Sequence, residues 1–263
     1  MDNTCGRVSA VESASDSPAI AVVGTGRVAS ALVRSISEGG FSGLIQYGRS
    51  GDLLPLGQLA HDASDGLDAV VVAVADSAVA AVAEQLGRLE GDPLCVHTSG
   101  SVDMGVMAPM SSRIGVLYPL MTFNRSTPVT CADVPFFTEA CDSAVLERVD
   151  ALAAMFSAIA PRHADTAVRR TLHLAGVFTN NFVNVLLEST ERILAADGLT
   201  LECVRPLLEA TVANAVASGP HDSQTGPAVR GDRATIELQL DSLPAELKDV
   251  YRSLTTLIET YHR

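Results

Sequence analysis

This sequence predicts a doubly wound, parallel α/β sheet followed by an all-helical second half. Three observations carry that expectation. Short apolar runs suited to buried strands alternate with helical spacings from Pro18 to about residue 140. A glycine turn joins the first such run to the first helix. Beyond about residue 165 no strand pattern survives, and helical periodicity runs on towards His262.

The elements follow in order. Ala19–Val23 is an apolar run fit for a buried parallel strand, and Gly24-Thr25-Gly26-Arg27-Val28-Ala29 leads into a helix over Ser30–Ser37 closed by Gly39-Gly40. Leu44–Tyr47 is a second strand, closed by Gly48-Arg49-Ser50, and Asp68–Ala75 a third. Asp76-Ser77 is placed to cap a helix over Ala78–Leu89. Leu94–His97 is a fourth strand ending in Thr98-Ser99-Gly100-Ser101; Ile114–Leu117 and Val134–Thr138 complete the set. Ala144–Ala160 then reads as an amphipathic helix. Thr166 to about Ala196 is a long helical pattern stopped by Asp197-Gly198, and Leu201–Ser218 another stopped by Gly219-Pro220. After the polar loop His221–Pro227, further helices run to His262, with Pro244 opening the last. The expected division is a tail over 1–17, a nucleotide-type α/β domain over 18–160 and a helical substrate or dimerisation domain over 161–263.

Composition narrows the function. The chain has 263 residues, is 47% hydrophobic and 19% charged, and carries a net charge of −13 at pH 7. Nonspecific nucleic-acid binding rests on basic patches, so that charge argues against a nucleic-acid partner. No apolar run reaches membrane-spanning length, and the Ser/Asp/Ala-rich stretch Met1–Ser17 lacks the apolar core of an export signal. Cys5, Cys95, Cys131, Cys141 and Cys203 are odd in number and never spaced as C-x-x-C, which predicts a reducing, cytoplasmic setting with neither disulfide framework nor metal cluster. Lys248 is the one lysine, so any lysine-based mechanism has a single candidate.

The glycine turn carries the first functional expectation. A G-x-G-x-x-G match alone is weak, but here a strand precedes it and a helix follows. Gly24 permits the tight turn, and Gly26 lets the backbone approach a diphosphate seated on the helix N-terminus. Ala29, in place of the third glycine, is small enough for close helix–strand packing. Thr25, Arg27 and Val28 complete the expected contacts, so the half is Rossmann-like. A strand that binds NAD usually ends in Asp or Glu for the ribose hydroxyls. Here Arg49 and Ser50 follow Gly48, and a guanidinium with a hydroxyl suits a 2′-phosphate, which predicts NADP. Ala75, Asp76, Thr98, Ser99 and Gly100 stand at other strand ends, where ligands of open α/β sheets bind, and are expected to meet the same cofactor.

The candidate substrate residues are His97 and Ser101 at a strand end, and His173, Asn180, Asn181 and Asn184 on the long helix. The helical four follow i, i+7/8, i+11 spacing, with Val177 at i+4. Polar groups on an otherwise apolar helix are costly to bury unpaired. They either pack against backbone groups or a subunit boundary, or they line a substrate cleft. In the second case His173 could exchange the proton that accompanies hydride transfer, with Asn180 or Asn181 holding the substrate oxygen. Asn214 is a further polar candidate. Arg230 could hold a carboxylate bidentately, and Asp232 either joins it at substrate or caps the helix running to Leu240.

Four stretches carry a family resemblance: His97-Thr98-Ser99-Gly100-Ser101, Tyr118-Pro119-Leu120-Met121-Thr122-Phe123, Leu172-His173-Leu174-Ala175 through Asn180-Asn181, and Thr225-Gly226-Pro227-Ala228-Val229-Arg230-Gly231-Asp232. With them the chain resembles the bacterial family that joins a Rossmann-like half to the helical domain of unknown function 2520. That family looks like a relative of the 6-phosphogluconate dehydrogenase, ketopantoate reductase and deazaflavin-dependent NADP reductase superfamily. The resemblance implies an NADP-dependent oxidoreductase acting on a small carbonyl or hydroxy compound, such as an oxo acid. A dinucleotide-binding sensor without turnover is the alternative. In the middle stretch the family pattern has His and Gln where this chain has Tyr118 and Met121, and Gln239 stands where a His is common. Superfamily dehydrogenases place a Lys on the long helix with an Asn one turn later; Val177 occupies the Lys place here. The apolar helices of the second half lead to the expectation of a homodimer.

Overall fold

The structure, a computed structural model, describes residues 18–39, 43–48, 54–64, 66–124 and 130–263. The expected N-terminal tail over 1–17 lies outside them, as do Arg49 and Ser50. The chain divides into two compact units, 1–176 and 177–263.

The first unit is built on one eight-stranded sheet of order β3-β2-β1-β4-β5-β6-β7-β8. Its elements are β1 (Ile20–Val23), α1 (Arg27–Glu38), β2 (Leu44–Gly48), β3 (Leu54–Pro55), α2 (Leu56–Ser64), β4 (Ala69–Val72), α3 (Asp76–Leu86), β5 (Leu94–His97), β6 (Ile114–Pro119), β7 (Phe136–Ala140), α4 (Ser143–Phe156), β8 (Arg162–His163) and α5 (Thr166–Gly176). The order of the strands reverses between β1 and β4, which pair in parallel with Val22 opposite Val71. That is the switch point at which such sheets leave a crevice at their carboxyl ends.

The period-2 alternation of the central strands fills two cores. Ile20, Val22, Val71 and Val96 pack with Leu32, Ile36, Val149 and Phe156 on one face. Ala21, Val23, Val70 and Val72 pack with Leu59, Val79, Met107 and Met110 on the other. The strands are apolar on both sides because helices cover both sides.

Several features differ from the sequence expectation, among them the added strand β8 and an α4 that ends at Phe156 rather than Ala160. β7 runs antiparallel to β6, with Pro119 opposite Phe136, so the chain turns back at the same end of the sheet and needs no crossover. Helix α3 begins two residues earlier than expected. Ala75 occupies its N-cap without a side-chain bond, so Asp76 lies in the first turn and is not the cap. β3 and α2 fill the stretch between Gly48 and Leu67 to which no element had been assigned.

The second unit is helical: α6 (Val183–Ala195), α7 (Arg205–Ser218), α8 (Pro227–Arg230), α9 (Arg233–Ser242) and α10 (Lys248–Tyr261). The long helical pattern expected from Thr166 is continuous, but Val177–Phe182 is wound as a π-turn. The i, i+4, i+7 spacing assumes α-helical periodicity, and an i→i+5 turn interrupts it. Gly198, at φ +70°, ends the run as expected. Among the described residues of 177–263, Ile236 is the one buried hydrophobic side chain.

Candidate functional site

Two glycines in the first turn do different work. Gly24 sits at φ +135°, and a Cβ there would lie 2.3 Å from the Ala73 carbonyl oxygen. The fold itself demands glycine, because the turns after β1 and β4 press together. Gly24 is further fixed by donating to the Tyr47 carbonyl at 2.9 Å and accepting from Gln46 Nε2 at 2.7 Å. Gly26 has an ordinary φ of −73°. A Cβ there would find Ala73 oxygen only at 4.0 Å. Neither backbone nor packing requires glycine at 26.

Gly26 is the N-cap of α1, makes no side-chain capping bond, and no acidic residue lies in the first turn. The N-terminal amides of α1 thus keep their positive potential without an acidic side chain. Beside them opens a cleft of about 530 Å³, lined by Gly24, Thr25, Gly26, Arg27 and Val28 on one side and Gly48 and Ala73–Ala75 on others. Ala29 is fully buried, as close helix–strand packing requires. A mouth of bare amides, a glycine that the fold does not need and a cleft across the switch point fit a dinucleotide diphosphate. Gly48, in that wall, immediately precedes Arg49 and Ser50.

The other strand ends are tied together. Ser101 Oγ donates to Asp76 Oδ2 at 2.6 Å, joining the start of α3 to the turn after β5. Within that turn the Ser99 hydroxyl oxygen accepts from the amides of Ser101 and Val102. The Ser99 amide donates to His97 Nδ1 at 3.2 Å. Among the described residues, Asp76, Thr98, Ser99 and Gly100 do not form part of the wall of the glycine cleft. His97 and the Thr98-Ser99 turn are buried, so their hydrogen bonds organise the strand end.

Burial holds the His97 imidazole down at about 4 against an ordinary 6.5, with the Arg169 charge adding to it. Between pH 6.5 and 4 the unfolded chain therefore binds the proton that the folded chain refuses. This contribution to stability is complete above pH 6.5 and lost as pH falls towards 4, at up to about 1.4 kcal/mol per pH unit. Urea unfolding at stepped pH is expected to show that acid slope, and a His97→Asn variant to flatten it. Equal slopes would remove His97 as its source.

Two residues that sequence reasoning did not place in the site stand beside His173. Tyr118, at the end of β6, is buried; its Oη lies 3.4 Å from His173 Nδ1. Its ring lies so close to Gly100 that a Cβ there would be 2.6 Å from Tyr118 Cζ. Arg169 is wholly buried at the start of α5. It donates to Glu139 Oε2, to the Val102 carbonyl at 2.7 Å, to Thr166 Oγ1 at 3.2 Å and to the Ala164 carbonyl at 3.3 Å. Burial lowers its guanidinium to about 10, still charged at neutral pH. Its neighbour Arg170 is exposed and donates from Nε to the Ser101 carbonyl at 3.1 Å. The available signal was an arginine four residues before His173 on a helix that must pack against the sheet.

The remaining candidates belong to the second unit. Asn180, Asn181, Asn184, Asn214 and Arg230 are exposed, and Asn180 Nδ2 donates to Asn181 Oδ1 at 3.4 Å. Asp232 caps α9, accepting from the Thr235 amide at 3.1 Å and the Thr235 hydroxyl at 2.7 Å, the capping role weighed for it. Among the described residues no group of His, Cys, Asp and Glu could hold a metal ion, and no helix is long and apolar enough to cross a membrane.

Comparison with known proteins agrees with this architecture. A Bacteroides fragilis protein described as a candidate NADP oxidoreductase is 28% identical, at a TM-score of 0.80 over 93% of this chain and 98% of that one. A Thermotoga maritima protein is 20% identical, with a TM-score of 0.65 over 92% and 98%. Pyrroline carboxylate reductase of Plasmodium falciparum, solved with NADP bound, is 14% identical, with a TM-score of 0.59 over 93% and 98%. The latter two likenesses are of fold alone. No curated protein matches the chain. The family model "Domain of unknown function (DUF2520)" matches residues 134–258. Over that segment the chain is similar to the DUF2520 family, and the sheet that precedes and enters it is Rossmann-like.

Proposed function

We propose that this chain is an NADP-dependent oxidoreductase acting on a small carbonyl or hydroxy compound, with an oxo acid as the favoured class. The observation that carries the proposal is Gly26. It is a glycine that the fold does not need, at the bare N-terminus of α1 and in the wall of a cleft across the switch point. Close approach of a ligand is the remaining reason for it. The name of the Bacteroides protein supports the same cofactor.

In this reading the amides of Thr25–Val28 hold the diphosphate, while Arg49 and Ser50, next after Gly48 of the cleft wall, take the 2′-phosphate. Ala75, Asp76 and the Thr98–Gly100 turn stand on the nicotinamide side. The bound reduced nicotinamide supplies a hydride. His173 serves proton exchange, and Arg170, beside Ser101 and three residues before His173, supplies the positive charge that favours a substrate carboxylate. Fluorescence titration is expected to show tighter binding of NADPH than NADH, and Arg49→Ala to erase the difference. An unchanged preference in that variant would defeat the 2′-phosphate assignment.

One observation favours the sensor reading: Lys248, the sole lysine, lies in α10, and Val177 stands at the place of the superfamily lysine. NADPH oxidation across an oxo-acid panel separates the two.

We also propose that the working form is a homodimer built by the helical unit. Its support is the contrast between one buried hydrophobic and side chains such as Val216, 83% exposed, and Leu207 and Leu238, each 69% exposed. Sedimentation velocity is expected to return a dimer; a monomer at micromolar concentration would reject it.

A further inference from the structure

Resting on the oxidoreductase reading, we propose that the Tyr118 hydroxyl is the catalytic acid that protonates the substrate oxygen, with His173 holding and recharging it. A chain of neighbouring residues leads from the cleft to this hydroxyl. Ala75 lines the glycine cleft, and Asp76 follows it. Asp76 accepts from Ser101 Oγ at 2.6 Å, and Ser101 follows Gly100. The Tyr118 ring occupies the space a side chain at Gly100 would fill, and the hydroxyl meets His173 Nδ1 at 3.4 Å. The phenol is thus set at the carboxyl ends of β5 and β6, on the β4–β5 side of the switch point. That is the side left for the nicotinamide once the adenosine takes the β2 side.

The chemistry of the pair suits the task. Burial, and then the Asp76 carboxylate, push the Tyr118 phenol up, so at neutral pH it carries its proton. A protonated phenol is still a far stronger acid than the alcohol formed when the alkoxide that develops on a reduced carbonyl takes up its proton. The step balances: the carbonyl carbon accepts the hydride supplied by NADPH, the π pair moves to oxygen, and that oxygen takes the Tyr118 proton. The phenolate then recovers a proton through His173, which is exposed and can exchange with solvent. Met104, Phe137 and Leu172 pack around Tyr118 and fix the ring without competing for its hydroxyl. Apart from Asp76 and His173, the ionisable groups on the adjoining elements include His97 at the end of β5, Asp103, Glu139 on β7, and Arg169 and Arg170 on α5.

Tyr118→Phe keeps the ring and removes only the hydroxyl. Nitrogen-15 NMR of the histidines in cofactor-free protein is expected to show the His173 ring signals moving in that variant. Unmoved His173 signals would overturn the pair. With NADPH bound, glyoxylate, pyruvate and 2-oxobutyrate serve as probes. Tyr118→Phe is expected to lose about 100-fold in kcat, within the range of general acid catalysis, while its NADPH affinity is unchanged. Undiminished turnover in the variant overturns the proposal, as does a wild type that binds NADPH but reduces none of the probes. Absence of NADPH binding by the folded wild type overturns the cofactor reading and this proposal together, which distinguishes the two failures.

Discussion

Gly26→Ala is expected to cost no more than about 1 kcal/mol of stability, the N-cap preference for glycine over alanine, and to weaken NADPH binding by about 100-fold, or about 2.7 kcal/mol. The added methyl meets nothing in the protein itself, since the nearest atom is Ala73 oxygen at 4.0 Å, and φ of −73° suits any residue. What it displaces is an anion drawn up to the backbone. Charge-assisted hydrogen bonds to that anion are worth about 1.5–3 kcal/mol each, so losing one or two accounts for the effect. Gly24→Ala is the contrasting control. It combines a strained φ with overlap on Ala73 oxygen at 2.3 Å, and should destabilise the fold by about 3 kcal/mol or more whatever its effect on ligand. Calorimetric binding beside thermal unfolding separates the two glycines. If Gly26→Ala binds NADPH as the wild type does, the diphosphate does not lie there.

Arg169→Met is expected to cost about 3–5 kcal/mol of stability, the range for removing one partner of a buried ion pair. The methionine keeps the stem and loses the donors to Glu139, Val102, Ala164 and Thr166. Those bonds tie α5 to β7 and to the turn that carries Ser101, so the start of α5 loosens with them, and the last turn, which presents His173, loses its anchor. Arg169→Lys should recover little, because one ammonium cannot span acceptors that a planar fork reaches together. Chemical denaturation measures the loss. A change below about 1 kcal/mol would show that the pair is no more than a solvent-screened contact.

The parts of the fold carried by local pattern were legible in the sequence. β1, β4, β5 and β6 announce themselves as apolar runs because helices cover both faces of each, and α1 is bracketed by a glycine turn and Gly39. Features set by distant partners were not legible. The start of α3 was misplaced because Asp76-Ser77 looks like a cap, whereas Asp76 spends its carboxylate on Ser101, 25 residues away. The direction of β7 is not contained in its alternation, and β3, two residues paired only through Tyr47–Leu54 and Gly48–Pro55, has no pattern to read. The π-turn at 177–182 is composed of ordinary helix-compatible residues and changes the spacing on which the His173–Asn184 face was reasoned.

The candidate site divides along the same line. Gly24 to Val28 and Ala75 were readable, since one short motif brings the turn and the helix start together. Tyr118 entered only as a departure from a family pattern, because its contacts with Gly100 and His173 cross 18 and 55 positions of sequence. Arg169 was passed over because a buried arginine and an exposed one look alike on a helix until the sheet beneath is known.

Isothermal titration of the purified, folded chain with NADPH tests the central claim most directly. The account predicts saturable heat at one site per chain, stronger than with NADH and sharply reduced in Gly26→Ala. No heat with either coenzyme would contradict it.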